Sequence, residues 1–468
     1  MTALSFVDPQ WLAGHIKLQG SNGIVAAVAQ MIESGRLAHG ARLPTVRDFA
    51  LQLGVSPSTV ATAWSVLRGQ GLIDTQRRRG TLVISKQAAP APVQPANWLH
   101  ATEPSWSFVD LSRGSGDPAL QPNLAQALQA GLEVSQLAGT HLNPVEQVHI
   151  ISELRDAVVP TWPCVPQRWT TTGGSTEGVL LALQVTLRGG DKVAIENPTS
   201  PRLLSLLTLL EIEPIAVRCD DQGPLPASLA QALSQGAKAF VLQLRAQVPT
   251  GFAVTRERRD ALTAVLVQYP EVSVVEDDHL GLVSDAPAFS LSEPLPDRSL
   301  TVRAYCRAFG VDLRMSIIGG AARLIQAIED YRSDRVAVTS RILQGALANL
   351  LVAEHALATL ANARATYARR RQLLAKALSA RGLNVREGTG LSLWLAVDDE
   401  TSAIVHLATQ GVVLGSGSAC FVGGGAEGDH APHIRVAISR LPDDPARIDA
   451  LAQLIGAGIK HPRREHFE

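Results

Sequence analysis

Along the first eighty positions, apolar residues recur first at helical spacing and then at strand spacing. Ile24, Val28, Met31 and Ile32 form one helical stripe that closes near Gly35. A second stripe, Val46, Phe49, Ala50 and Leu53, follows Leu43-Pro44-Thr45. Thr45 is placed to cap that helix with Asp48 as its partner, and Gly54 to end it. Ser56 and Pro57 then open a third helix, with Val60, Trp64 and Leu67 facing inward and Ser58, Thr59 and Thr62 facing out. So tight a turn between two helices predicts a helix-turn-helix. Leu72–Thr75 and Thr81–Ile84 read as a hairpin whose tip, Gln76-Arg77-Arg78-Arg79-Gly80, carries three arginines.

Beyond this unit the pattern changes twice. Residues 86–104 are rich in Ala and Pro without periodicity, which predicts a linker between a unit at 1–85 and a large domain at 105–468. In the large domain, apolar runs at Val193–Glu196, Ile215–Val217, Ala239–Gln243, Val272–Asp277, Leu300–Arg303 and Ser316–Gly319 alternate with helical stretches. That alternation predicts an α/β fold, a mostly parallel sheet with helices on both faces. The helix-rich stretch from Ala321 to about Ala380 should lead to a small C-terminal α+β part containing Leu391–Val397 and Ile434–Ile438.

Composition adds limits. Of 468 residues, 46% are hydrophobic and 18% charged, enough apolar material for a large core. No apolar run predicts a membrane span or a signal peptide. Cys164, Cys219, Cys306 and Cys420 lack metal-site or disulfide spacing, and a cytoplasmic protein is expected. The whole chain has a net charge of −1, yet residues 1–85 carry eight basic side chains against four acidic ones. A basic N-terminal unit on an acidic body points to nucleic-acid contact at one end.

The run Leu43-Pro44-Thr45-x-Arg47, then Gly54-Val55-Ser56, Gly71-Leu72-Ile73 and the Arg-Gly-Thr wing, resembles the GntR-type winged helix. The resemblance implies a double-stranded DNA operator contacted by Arg47, Ser56, Ser58, Thr59, Thr62, Arg77, Arg78, Arg79 and Gly80. Pro57-Ser58 stand where the family usually has a basic residue, so phosphate contacts should weigh more heavily. From Val109 the chain resembles class I/II aminotransferases, opening with Leu111-Ser112-Arg113-Gly114-Ser115-Gly116-Asp117-Pro118. Together the two parts resemble the MocR subgroup of GntR regulators, and Arg245-Ala246-x-x-Pro249-Thr250-Gly251, Asp277-Asp278-His279 and Asp312-Leu313-Arg314 look most like its PtsJ-type branch.

That resemblance locates a pocket for pyridoxal phosphate (PLP). Thr172-Gly173-Gly174-Ser175 stands where a glycine turn and helix N-terminus hold the cofactor phosphate, although a plain strand-to-helix turn would read the same. Asp277 matches the acid on the pyridine nitrogen, and His279 the place of a tyrosine near the ring oxygen. Arg314 matches a phosphate ligand and Arg435 the arginine that grips a substrate carboxylate; each also reads as a structural ion-pair partner. The departures are many. In Arg303–Arg314 the Schiff-base lysine falls on Arg307, with Ala304 and Cys306 for the flanking serines; Val248 replaces an asparagine and Ser200 the stacking aromatic.

An aldimine needs an amine that can deprotonate, which a guanidinium is not. The preferred expectation is therefore a homodimeric DNA-binding regulator, not an enzyme, that senses a small anion held by Arg307, Arg314 and Arg435. The alternatives are a regulator that binds PLP non-covalently, an aminotransferase with a DNA-binding appendage, and a ligand-free dimerisation scaffold.

Overall fold

The computed structural model describes residues 6–16, 20–33, 36–37, 40–69, 72–76, 80–84, 109–137, 149–333, 339–386, 388–424 and 431–459. It divides into two compact units, Met1–Trp98 and Leu99–Glu468. The Ala/Pro-rich linker, the wing arginines and Gly35 lie outside the described residues.

In the first unit, helices Ser21–Glu33, Val46–Leu53 and Pro57–Gly69 pack on a hairpin of Ile73–Gln76 and Gly80–Val83. Local chemistry sets the boundaries. Thr45 Oγ1 accepts the Asp48 N–H at 3.2 Å and donates to Asp48 Oδ2 at 2.6 Å, a cap worth about 1 kcal/mol. Gly54 ends that helix at φ 65°, left-handed backbone that costs glycine little. Val60, Trp64 and Leu67 are buried with Ile24 and Val28, and the Phe49 and Trp64 rings stack at 5.4 Å.

The second unit is built on an eight-stranded sheet. Its order is Arg168–Thr172, Ser316–Gly320, Ser299–Ala304, Ser273–Asp278, Ala237–Leu242, Lys192–Asn197, Glu213–Asp220, Gly223–Pro224. The five strands from Ser299 to Asp220 in that order are mutually parallel, whereas Ser316–Gly320 runs antiparallel to both its neighbours. Separate apolar clusters cover the sheet, one around Val179, Leu206 and Ile325, another around Leu229, Leu262 and Leu291.

Strand Ser273–Asp278 is buried throughout and holds three successive carboxylates that alternate in direction. Glu276 accepts from Ser290, Thr301 and the Leu291 N–H. Asp278 accepts from Arg245 Nε at 2.9 Å and Arg303 Nε at 2.7 Å, and these two guanidinium groups hold its pKa below the ordinary range despite burial. Asp277, between them, faces the other way. Helices Ala322–Ser333, Arg341–Val352 and Glu354–Ser379 then lead to a four-stranded sheet of Ser392–Ala396, His433–Ala437, Val412–Ser416 and Val109–Leu111. No single helix among the described residues is long and apolar enough to cross a membrane.

Candidate functional site

In the first unit the outward hydroxyls form a bonded group. Ser56 Oγ accepts the Thr59 N–H at 3.2 Å and lies 2.7 Å from Ser58 Oγ and 2.8 Å from Thr59 Oγ1. Thr62 Oγ1 donates to the Ser58 carbonyl at 2.9 Å. Ser56, Ser58, Thr62 and Arg47 are exposed, and Thr59 is half-buried. Much of this hydroxyl bonding capacity is spent within the helix, which leaves it poorly suited to bidentate reading of bases. Arg68 Nη2 donates to Thr75 Oγ1 at 2.9 Å and so ties this helix to the wing strand. Gly80 adopts φ 78°, and a Cβ there would lie 2.9 Å from Arg42 Nε. Arg42, beside the base of the wing, was not singled out from the sequence.

In the second unit a cavity of about 330 Å³ opens where the resemblance placed the cofactor. Four guanidinium groups line it, those of Arg113, Arg202, Arg307 and Arg435. Ser175, Thr176, Ser200, Gln247, Val248, His279 and Cys306 add to the wall. Among the described residues no carboxylate lines it; Asp277 lies fully buried and pairs with Arg202 through Oδ2. Asp277 Oδ1 and Arg202 Nη1 are left without hydrogen-bond partners.

Each arginine is held from a different element. Arg202 stands in the first turn of helix Pro201–Leu209. Arg307 sits on the short helix Cys306–Phe309 after the strand Ser299–Ala304. Burial pulls its pKa down, and the charges of Arg202 and Arg435 pull the same way; the groups that oppose them, Cys306 and Tyr367, are not carboxylates. Arg435 donates from Nη2 to the Ser112 carbonyl at 2.8 Å and keeps a buried, unpartnered Nε. Gly415, its cross-strand neighbour, makes room for it, since a Cβ there would lie 2.9 Å from Nε. His279 is neutral: burial first, then Arg307 and Arg202, push its pKa down to about 3.

Two expected contacts are not brought together. Arg314 is exposed and does not line the cavity; it stands at the end of a turn, at φ 37°, between Leu313 and Met315, both buried in the core. The expectation of Arg314 as an anion ligand is corrected accordingly; Arg202 and Arg113 stand in the cavity instead. Gly173 and Gly174 also stay out of the wall, and the Gly173 N–H donates to Glu177 Oε2 at 2.7 Å. The turn's first donor is thus taken by a carboxylate from its own helix, leaving Ser175 and Thr176 at the cavity.

These residues do not fit PLP as an attached cofactor. Arg307 offers no amine, Val248 no side-chain donor, and Ser200 no ring to stack. Arg202 pairs with Asp277 through Oδ2 alone, and the buried Oδ1 keeps no hydrogen-bond partner.

The two units define a helix-turn-helix transcriptional regulator that carries an aminotransferase-like domain. The chain belongs to the aminotransferase class I and II family, matched over residues 109–448, and residues 21–83 match bacterial regulatory proteins of the gntR family, the MocR arrangement. It is 29% identical to the vitamin B6 salvage pathway transcriptional repressor PtsJ of Salmonella typhimurium, over 92% of this chain and 96% of that one. It is 28% identical to the regulator TauR of Rhodobacter capsulatus, over 84% and 88%. In fold it is similar to the multiple substrate aminotransferase of Thermococcus profundus, with a TM-score of 0.66, 18% identity, and 80% and 96% of the two chains covered.

Proposed function

We propose that the protein is an operator-binding regulator whose aminotransferase-like domain senses a small anionic metabolite in the four-arginine cavity. The observation that carries this reading is the charge balance of the wall: four guanidinium groups and no lining carboxylate among the described residues, with one of them, Arg202, paired with the buried Asp277. Like charges crowded into a low-dielectric cavity repel, and an anion relieves them. Arginine forks suit a carboxylate or phosphate. Such a ligand regulates only if it binds the DNA-competent and DNA-incompetent states differently, about 1.4 kcal/mol for each tenfold of preference.

The regulator acts in the cytoplasm as a homodimer, whose two-fold symmetry suits repeated half-sites in DNA. It does not transaminate, since Arg307 supplies neither an imine nor a base for the α-proton. A second reading, non-covalent PLP, draws support from the relative named for vitamin B6 salvage. In that reading the ring nitrogen meets Asp277 Oδ1, the oxygen that Arg202 leaves without a partner.

Thermal unfolding of the full chain with succinate, inorganic phosphate and PLP tests both readings, with Arg435→Ala as the pocket variant and Arg314→Ala as the control. The expected result is a rise in melting temperature for succinate or phosphate in wild type and Arg314→Ala, and none in Arg435→Ala. A rise with PLP alone would favour the second reading. No rise with any of the three leaves the ligand-free scaffold.

A further inference from the structure

A larger cavity, of about 670 Å³, runs along one face of helix Glu354–Ser379 and shares Thr389 and Leu391 with the four-arginine cavity. Its volume is that of a site for a small organic molecule. Arg364, Arg371 and Lys376 project into it from the helix, and Arg386 joins them from the following segment; among the described residues the one lining carboxylate is Asp285. Arg386 is committed elsewhere, pairing with Asp221 at 2.9 Å. Arg364 donates through Nε to the Leu282 carbonyl at 2.6 Å.

Arg371 is the unusual member. Its residue exposure is 7%, and Nη1 donates to the Ser392 carbonyl, yet Nη2 is buried with no hydrogen-bond partner. Burial draws its pKa down to about 10, with only the charge of Asp285 opposing. Two glycines make room for the guanidinium: a Cβ on Gly388 would lie 3.0 Å from Nη2, and one on Gly251 3.1 Å. Among the described residues the arginine thus sits in a tight slot with no acceptor for Nη2, and Asp285 acts on it only through its charge. An uncompensated buried charge is costly unless an acceptor arrives from outside.

We propose that this cavity is a second ligand site, taking a small organic anion, a carboxylate or phosphate carried on an apolar body, with Arg371 as its deepest contact. Val283, Val385 and Leu391 supply the apolar wall. Lys376 lies roughly 7.5 Å along the axis from Arg371 and about 140° around it; both line the cavity, and Lys376 draws the same anion from the exposed end. The site is independent of the four-arginine cavity's ligand, because it uses none of those arginines.

Phenyl phosphate is a suitable probe, titrated by calorimetry into the full chain carrying Arg435→Ala, so that the first cavity is weakened. Saturable binding is expected to persist there, to weaken about tenfold with Arg371→Lys, which loses the fork, and about fivefold with Lys376→Glu, which reverses the outer charge. Lys376 is exposed, so its variant folds and decides the matter even if Arg371→Lys does not. Affinity unchanged by Lys376→Glu overturns the proposal. Binding seen in wild type but abolished by Arg435→Ala also overturns it, since the probe then occupies the first cavity, and the anion-sensing reading stands without it.

Discussion

Arg202 holds Asp277 across a separation of 75 positions through Oδ2, leaving Oδ1 buried and without a hydrogen-bond partner. The pair is buried on the acid's side, and Asp277 retains a pKa above the ordinary range, because its desolvation outweighs the field of Arg202. This contact turns a cofactor acid into the anchor of a cationic wall.

Removing one partner of such a pair leaves the other exposed to its full desolvation. Arg202→Ala is expected to lower unfolding free energy by about 3 kcal/mol at neutral pH, read by urea denaturation. A change near zero would mean that Asp277 is already protonated in the native state and that the pair carries no charge.

Restoring the lysine should not by itself restore the cofactor. In Arg307→Lys incubated with PLP, borohydride reduction is expected to leave little label on residue 307, because Val248 still offers no donor, Ser200 no ring to stack on, and Arg202 still competes for the charge of Asp277 through Oδ2. Adding Arg202→Ala should increase that label, measured by peptide mass spectrometry. Full labelling of the single variant would show that the Arg202–Asp277 contact does not hinder the ring.

How far the sequence foretold this arrangement depends on the range of the interactions involved. The caps at Thr45 and Ser56 and the left-handed Gly54 are local, and the helices fall where those residues place them. Strand Arg168–Thr172 went unforeseen: only Thr170, Thr171 and Thr172 are fully buried in it, and threonine does not stand out as a core residue. Val109–Leu111 pairs with Val412–Leu414, a partnership about three hundred positions long that no local pattern reveals. Asp277, Arg307 and Arg435 were legible through their motifs. Arg202 was not, because Ser-Pro-Arg at a helix start says nothing about a carboxylate on another strand. Arg314 misled for the opposite reason, since its motif is intact while the side chain, at φ 37° between the buried Leu313 and Met315, stands exposed.

Glu196 gives the fold a pH dependence of known sign. Burial lifts its pKa from 4.5 to about 8, against hydrogen bonds donated by Gln243 and Gln247. The unfolded chain loses this proton near 4.5 and the folded chain near 8, so folding takes up a proton between them. Stability contributed by Glu196 should fall as pH rises through that window and level off above it. Denaturant titrations from pH 5 to 9 should show a flatter profile for Glu196→Gln than for wild type; parallel profiles would mean that the carboxylate ionises normally.

DNA binding should lean on phosphates, given how far the recognition-helix hydroxyls bond to one another. Replacing Arg77, Arg78 and Arg79 with alanine is expected to weaken binding to every duplex and to reduce the slope of log affinity against log salt by about 2 to 3. Fluorescence anisotropy across a salt series reads this directly. An unchanged slope would place the wing away from the backbone.

The final test separates binding from folding at Arg435. Gly415 has ordinary backbone geometry, so alanine is conformationally allowed there; its Cβ would meet the Arg435 side chain at 2.9 Å from Nε and 3.1 Å from Nη2. Those atoms belong to a flexible side chain and can shift by a few tenths of an ångström, so the stability change in Gly415→Ala should stay within about 1 kcal/mol. A guanidinium fork is directional, however, and a small displacement spoils its two parallel bonds to an anion. The variant should therefore bind succinate or inorganic phosphate about three- to tenfold more weakly than wild type, about 0.7 to 1.4 kcal/mol, while its urea midpoint hardly moves. Calorimetric affinity equal to that of wild type would show that Arg435 does not hold the anion, and the sensing site would then have to rest on Arg113, Arg202 and Arg307 alone.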